Sequence, residues 1–142
     1  MIDSLQTEFA LEVLAECDAR FDLGARAEGQ RRFIPIVGGR FEGPRIRGRV
    51  LPGGGDWQLQ RPDGVLEVEA RYTLQADDGT LIYIHNSGVV IRSATPYART
   101  TPRFEAPANS AHAWLNQAIF VASLGIAQPD PLIVRVRVSR VL

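Results

Sequence analysis

At 142 residues the chain is long enough for one domain, and a chain of that size buries roughly 68% of its unfolded surface, enough for a core without staples. Sixteen basic and sixteen acidic side chains cancel, which removes the electrostatic footprint of a nucleic-acid or anionic-membrane partner. A single cysteine, Cys17, excludes an intramolecular disulfide and a multi-cysteine zinc site.

Every basic residue is arginine. Because lysine is missing throughout, and not at one site, the bias reads as codon usage before it reads as oxyanion binding. The N-terminal stretch MIDSLQTEFALEVLAE has neither a basic leader nor a long apolar run, so it is not expected to be a signal peptide. No stretch approaches the ~20 apolar residues of a membrane-spanning helix. The expected compartment is the cytoplasm.

In chain order, residues 4–17 fit two periods. Phe9, Leu11, Val13 and Ala15 alternate as in a strand, while Leu5, Phe9 and Val13 also share a helix face. The strand is preferred because the rest of the chain reads as β. Phe21–Gly29 is expected to be a loop. Arg31–Val37 is a short strand in which Pro35 suggests an edge or bulge. Gly38-Gly39 opens a hairpin. Arg40–Leu51 alternates imperfectly, which places a face-swapping bulge at Gly43-Pro44. Pro52–Gly55 is a loop, Asp56–Gln60 begins the next strand, and Pro62-Asp63-Gly64 turns the chain.

The strongest signal is Val65–Asn86. Leu66, Val68, Ala70, Tyr72, Leu74 and Ala76 share one face of the first arm. Asp77-Asp78-Gly79 then turns into a second arm with faces Leu81/Tyr83/His85 and Ile82/Ile84. Ser87–Pro96 is loop-like, with a short strand at Val89–Ile91. Arg99–Ala106 is an edge-like strand, and Ala108–Leu115 is a connector with room for one helical turn. Gln117–Leu124 and Leu132–Val141 complete the set.

Eight to ten short strands without an amphipathic helix predict an all-β domain over 1–142, a sandwich or barrel. The long one-face-apolar hairpin favours a single closed antiparallel barrel, since closure removes exposed edges. An eight-stranded barrel either fills with side chains or holds one small ligand.

The organising stretch is Gly38–Trp57, with seven of the thirteen glycines and an acid followed at once by an indole. Asp56 and Trp57 offer a proton acceptor and an apolar wall, or else a loop cap and a barrel plug. Arg99, Arg103 and Glu105 share a strand face that would hold an oxyanion if turned inward, or form a solvated ion-pair row if turned outward. Tyr83 and His85 share a face and suit acid–base work; an exposed structural role is the bland alternative. Tyr72 sits in the apolar row. Trp114 and Asn116 end the connector and are placed to roof a pocket, and Glu42 lies in the bend as a second acid. The two histidines lack metal-ligand spacing, so no metal is expected. There is no nucleophile elbow, P-loop or dinucleotide fingerprint, so no cofactor is expected either.

Three pieces taken together resemble a known family: RRFIPIVGGRFEGPRIRGRVLPGGGDWQLQRPDG, ARYTLQADDGTLIYIHNSG, and YARTTPRFEAP with AWLNQAIFVA. They are similar to the bacterial and fungal proteins grouped as a domain of unknown function, number 3237 (uncharacterised protein family 0311), over most of residues 31–122. The resemblance implies a small barrel of the calycin or allene-oxide-cyclase type. It carries over Asp56 and Trp57, Arg103 and Glu105, and Trp114 and Asn116 as family positions. Relative to that pattern Ser87–Tyr97 is short, so a lid over the pocket would be reduced.

The expected function is cofactor-independent proton transfer of the isomerase, cyclase or lyase type on a hydrophobic carbonyl compound. Asp56, His85 and Arg103 would be catalytic; Glu42, Trp57, Tyr72, Tyr83, Arg99, Glu105, Trp114 and Asn116 would line the ligand. The alternative is a barrel that binds a small molecule without chemistry. A homodimer is open to such a chain.

Overall fold

The computed structural model describes residues 3–142. Ten strands follow one another: β1 (Thr7–Cys17), β2 (Phe21–Arg26), β3 (Gly29–Glu42), β4 (Arg47–Val50), β5 (Gly54–Gln60), β6 (Val65–Ala76), β7 (Leu81–Ile91), β8 (Tyr97–Glu105), β9 (Phe120–Pro129) and β10 (Leu132–Val141). A short 3-10 helix at Ala113–Gln117 separates β8 from β9.

All the pairings are antiparallel. They run β1-β10-β9-β8-β7-β6-β4-β3, and β3 pairs back onto β1, so an eight-membered ring closes. The expected closed barrel is what the chain forms. Closure leaves none of the eight with a free edge along its full length, which is how a strand-rich chain avoids edge-to-edge association.

Two of the eight staves are broken. β4 pairs the upper half of β3 through Arg40–Glu42, and β5 pairs its lower half through Gln30–Ile36. In the same way β1 covers upper β3, and β2 covers Phe33 to Gly29. Here "upper" means the end with Glu42, Ala76 and Phe120. The lower halves of β2, β3 and β5 continue the sheet of β6, β7 and β8, with β2 as its outer strand.

Several local expectations are corrected. The strand preferred for residues 4–17 forms from Thr7, whereas the expected loop Phe21–Gly29 contains β2. Gly38-Gly39 does not open a hairpin; β3 runs straight through it. The ladder with β1 slips there, between Glu16↔Gly38 and Cys17↔Ile36. That slip, and not a bulge at Gly43-Pro44 as expected, swaps the faces, and it is why both Ile36 and Phe41 are buried despite their odd separation. Gly39 has φ of +128° and a Cβ there would sit 2.0 Å from the Leu14 carbonyl oxygen, so only glycine fits. The hairpin turn falls at Gly43–Ile46 instead, closed by the Gly43 N–H donating to the Ile46 carbonyl at 2.7 Å. β7 continues unbroken to Ile91, so Ser87–Ile91 is strand and not loop.

The core is the barrel interior. Leu11, Val13, Leu74, Ile82, Ile84 and Val138 are fully sequestered, each contributing about 1.5–3 kcal/mol. At the upper end Phe41, Phe104 and Phe120 close the lumen, with Phe104 and Phe120 edge to face at 5.1 Å. The 3-10 helix lies over them and inserts Leu115. No helix among the described residues is long and apolar enough to cross a membrane.

Candidate functional site

Strand alternation decides which side chains meet inside. On β5 the register pairs Asp56 with Ile34 on β3 and with Ala70 on β6. The next pairings in that row are Ala70↔Asn86 and Asn86↔Pro102. One step up lie Tyr72, Ile84 and Phe104, and one step down Val68, Gly88 and Thr100. Ile84, Phe104 and Tyr72 are core residues, so these rows, with Asp56, Asn86 and Thr100 in them, face the lumen. Cys17 reaches the same region from the end of β1, opposite Ile36.

The lower half of the lumen is thus lined by polar groups, unlike the apolar upper half. Asp56 Oδ1 accepts the Glu69 backbone N–H at 2.8 Å, and Oδ2 accepts the Gln58 amide at 2.8 Å. Burial holds the Asp56 carboxyl above its ordinary range, against those two hydrogen bonds, with the Glu69 charge adding to the rise. Burial also pushes the Cys17 thiol up to about 11, helped by the Asp56 charge. It raises the Tyr72 phenol as well, so Tyr72 stays protonated and remains a hydrogen-bond donor.

The hydroxyls of Tyr72 and Thr100 and the Asn86 Oδ1 are closed off from solvent and have no hydrogen-bond partner in the protein. Tyr72, Asn86 and Thr100 are only 4%, 3% and 2% exposed. Buried polar atoms without partners cost about 1–3 kcal/mol each, and three on one lumen wall beside the half-buried Asp56 carboxyl mark the barrel's chemically distinctive region.

Of the residues singled out from sequence, Asp56 and Tyr72 come together here. The others do not. Trp57 points the opposite way on β5 and packs outside against Phe33. Tyr83, His85, Arg99, Arg103 and Glu105 occupy the outer wall of β7 and β8. There His85 pairs with Arg103, Tyr83 with Glu105, and the alternate residues Ile82, Ile84, Pro102 and Phe104 are buried. The inward placement expected of the arginine row is corrected: it is the solvated face. His85 also stands beside Arg71, and its Nε2 lies 3.9 Å from Glu69.

Trp114 is half-buried at the upper end, covered by the Arg45 guanidinium at 4.2 Å. Asn116 donates to the Ala106 carbonyl and accepts its N–H, both at 2.8 Å, which pins the 3-10 helix to the end of β8. Neither roofs the polar lumen. Glu42 is exposed at the upper rim. It borders two outer clefts of ≈ 670 and ≈ 470 Å³, the first between Glu12, Arg40 and Arg137 and the second beside Asp78 and His112. Both clefts are open, mix charged with apolar side chains and lie at the end away from Asp56. Among the described residues no group of three or more His, Cys, Asp or Glu side chains is arranged to hold a metal.

Sequence reasoning missed Cys17, Asn86 and Thr100. A signal existed for two of them. Asn86 continues the Ile82/Ile84 phase, and Thr100 falls in the Ala98/Pro102/Phe104 phase, so each is a polar residue in an otherwise apolar register.

Comparison with known proteins agrees with this architecture. A UPF0311 protein of Rhodopseudomonas palustris (strain TIE-1) is 34% identical over 138 residues, which cover 87% of this chain and 90% of that one. The crystal structure of a β-barrel-like protein from Acinetobacter baumannii AYE superposes with a TM-score of 0.88 at 29% identity, covering 100% of this chain and 99% of that one. A structure described as an enzyme from Penicillium herquei shares the fold at 17% identity, with a TM-score of 0.77 and 97% of each chain covered. The family model described as "Protein of unknown function (DUF3237)" matches residues 5–141. The chain belongs to that family.

Proposed function

We propose that the lower lumen receives a hydrophobic carbonyl compound and that Asp56 moves a proton on it, without a cofactor. The observation that carries this reading is the Asp56 carboxyl itself. It is half-buried at an inward-facing strand position, with its proton affinity raised, beside the unpartnered Tyr72 hydroxyl. A carboxyl shifted upward is closer to the proton affinity that general acid–base work at neutral pH requires.

In the proposed step the Asp56 carboxylate takes a proton from the carbon beside the carbonyl. The electron pair moves onto the carbonyl oxygen as an enolate, and the Tyr72 O–H donates to that oxygen. On a saturated ketone the protonated Asp56 returns the proton to the same carbon, which is isotope exchange. Where the substrate carries a double bond one carbon further on, the enolate is a dienolate and the proton returns to its far carbon, which gives a conjugated isomer with no net change in composition. His85 and Arg103 have no part in it, since they stand on the outer wall.

A second reading, binding without chemistry, draws on the two hydrogen bonds that already engage Asp56, an arrangement that also suits a fixed structural carboxylate. One experiment separates the two readings. Indanone, tetralone and benzylacetone are incubated with the protein in deuterium oxide, and deuterium uptake beside the carbonyl is followed by NMR. Uptake that is lost in Asp56→Asn, with ketone binding retained, is the expected result. Equal uptake in the variant would remove Asp56 as the base, and binding without any uptake would favour the second reading.

A further inference from the structure

The lower lumen has a second unusual group, and it comes from β3. The β3–β5 ladder pairs Ile36 with Gly54, Ile34 with Asp56 and Arg32 with Gln58, without a slip. Ile36 is a core residue, so alternation puts Ile34 and then Arg32 on the lumen side. The intervening Phe33 is outside, against Trp57 and Phe21. Arg32 is therefore a guanidinium turned toward the lower mouth, one step outward from Asp56. Diagonal neighbours of this kind lie about 7–8 Å apart.

Its side chain is only 15% exposed. Its Nε is closed off from solvent and has no hydrogen-bond partner. The nearest acid, Asp22 on β2, is 3.9 Å away and half exposed, and Arg20 also stands 3.7 Å from the same oxygen. That distance is too long for a hydrogen bond. Gln58, directly across the ladder, turns its amide N–H to Asp56, and its Oε1 makes no hydrogen bond to the Arg32 Nε. A largely buried guanidinium with a free donor is costly unless an oxyanion completes it, and its planar fork suits a carboxylate held by two parallel bonds.

We propose that Arg32 is the specificity-determining residue of the lumen, and that the natural ligand carries a carboxylate held by Arg32 at the mouth with its apolar body running inward toward Asp56. This rests on the reading that the lower lumen is the ligand site, and it adds the ligand's charged end. The two groups divide the work by position. The permanent cation sits where the ligand enters, and the Asp56 carboxyl sits one ladder step deeper, beside the apolar body and not beside the incoming carboxylate.

The test compares two probes that differ only at that end, phenylbutanoate and phenylbutanamide. Affinities are measured by calorimetry at neutral pH. The side-chain amide signals of Asn86 and Gln58 in a proton–nitrogen correlation spectrum report entry into the lumen. Wild type is expected to bind the carboxylate more tightly than the amide, with both signals moving. Arg32→Gln is expected to weaken the carboxylate by at least about tenfold, while the amide is unchanged and so serves as the folding control. Arg32→Lys is expected to recover only part of the loss, because it lacks the fork. If Arg32→Gln affects both probes equally or neither, the role of Arg32 is overturned while the lumen site stands, provided the signals move. If neither probe moves them, the lumen site and the Arg32 assignment fall together.

Discussion

Asp56 and Trp57 are consecutive in the chain, yet they lie on opposite sides of the barrel wall. Asp56 faces the lumen, whereas the Trp57 indole packs outside against Phe33, with ring centroids 4.6 Å apart. A strand cannot do otherwise with neighbouring residues. Trp57→Ala should therefore lower stability by about 1–2 kcal/mol, through lost packing and the aromatic pair, and leave ketone exchange unchanged. Denaturant unfolding alongside the deuterium assay checks both halves. A variant with normal stability and no exchange would mean that the indole reaches the substrate after all.

The same outer cluster explains Gly55. A Cβ at that position would sit 2.2 Å from two atoms of the Phe33 ring, so the ring must leave its place between Phe21 and Trp57. Gly55→Ala is expected to cost about 1–3 kcal/mol, the usual penalty for overpacking. The double variant with Phe33→Ala should show less than the sum of the two single losses, because the clash disappears with the ring. Strict additivity would place the strain elsewhere.

The barrel was legible because its evidence is repetitive. Ten alternating residues from Leu66 to Gln75 announce a strand whichever residues they are, and eight such signals leave few architectures. The site was legible only in part, because its composition depends on parity across several strands. Tyr83 and His85 looked like an acid–base pair because they share a face, but the hidden face was Ile82/Ile84/Asn86. Parity was readable in that apolar alternation, and two conspicuous polar side chains outweighed it. Arg32 was harder to see. Its phase runs through Ile34 and Ile36, but the bulge at Gly38 reverses that phase before Phe41. Only the observed slip between Cys17 and Glu16 tells which side of β3 is inside.

The upper plug gives a prediction about stability alone. Leu115 is 2% exposed under the 3-10 helix, and that helix is tied down twice. Asn116 clamps the Ala106 backbone, and His112 Nε2 meets Asp78 Oδ2 at 2.9 Å on the β6–β7 turn. Leu115→Ala should cost about 2–5 kcal/mol. Asn116→Ala should cost less, about 1–3 kcal/mol, by leaving the Ala106 groups unpaired. Because the polar lumen lies at the other end, phenylbutanamide affinity should be unaltered in both variants at temperatures where they remain folded. A large drop in that affinity would show that the upper end is the entrance.

Asp56 should leave a signature in the pH dependence of folding, independent of any ligand. Its carboxyl titrates above the ordinary value of 3.8 in the folded state, chiefly because burial disfavours the charge. Between the unfolded and folded values the folded protein holds more protons than the unfolded chain, so stability must fall as pH rises through that window. Below it both states are protonated and no penalty remains; above it the penalty is constant. Asp56→Asn cannot ionise and lacks this decline. Groups that do not sense Asp56 contribute equally to both proteins and drop out of the difference. Stability of the variant minus that of wild type, measured by denaturant unfolding from acid to neutral pH, should therefore climb from about pH 4 upward and then level off. The level point reports the folded-state value of Asp56. A flat difference, or one that falls with pH, would mean that the carboxylate is better solvated or better paired in the folded protein than in the unfolded chain, and a general base of raised proton affinity would be lost with it.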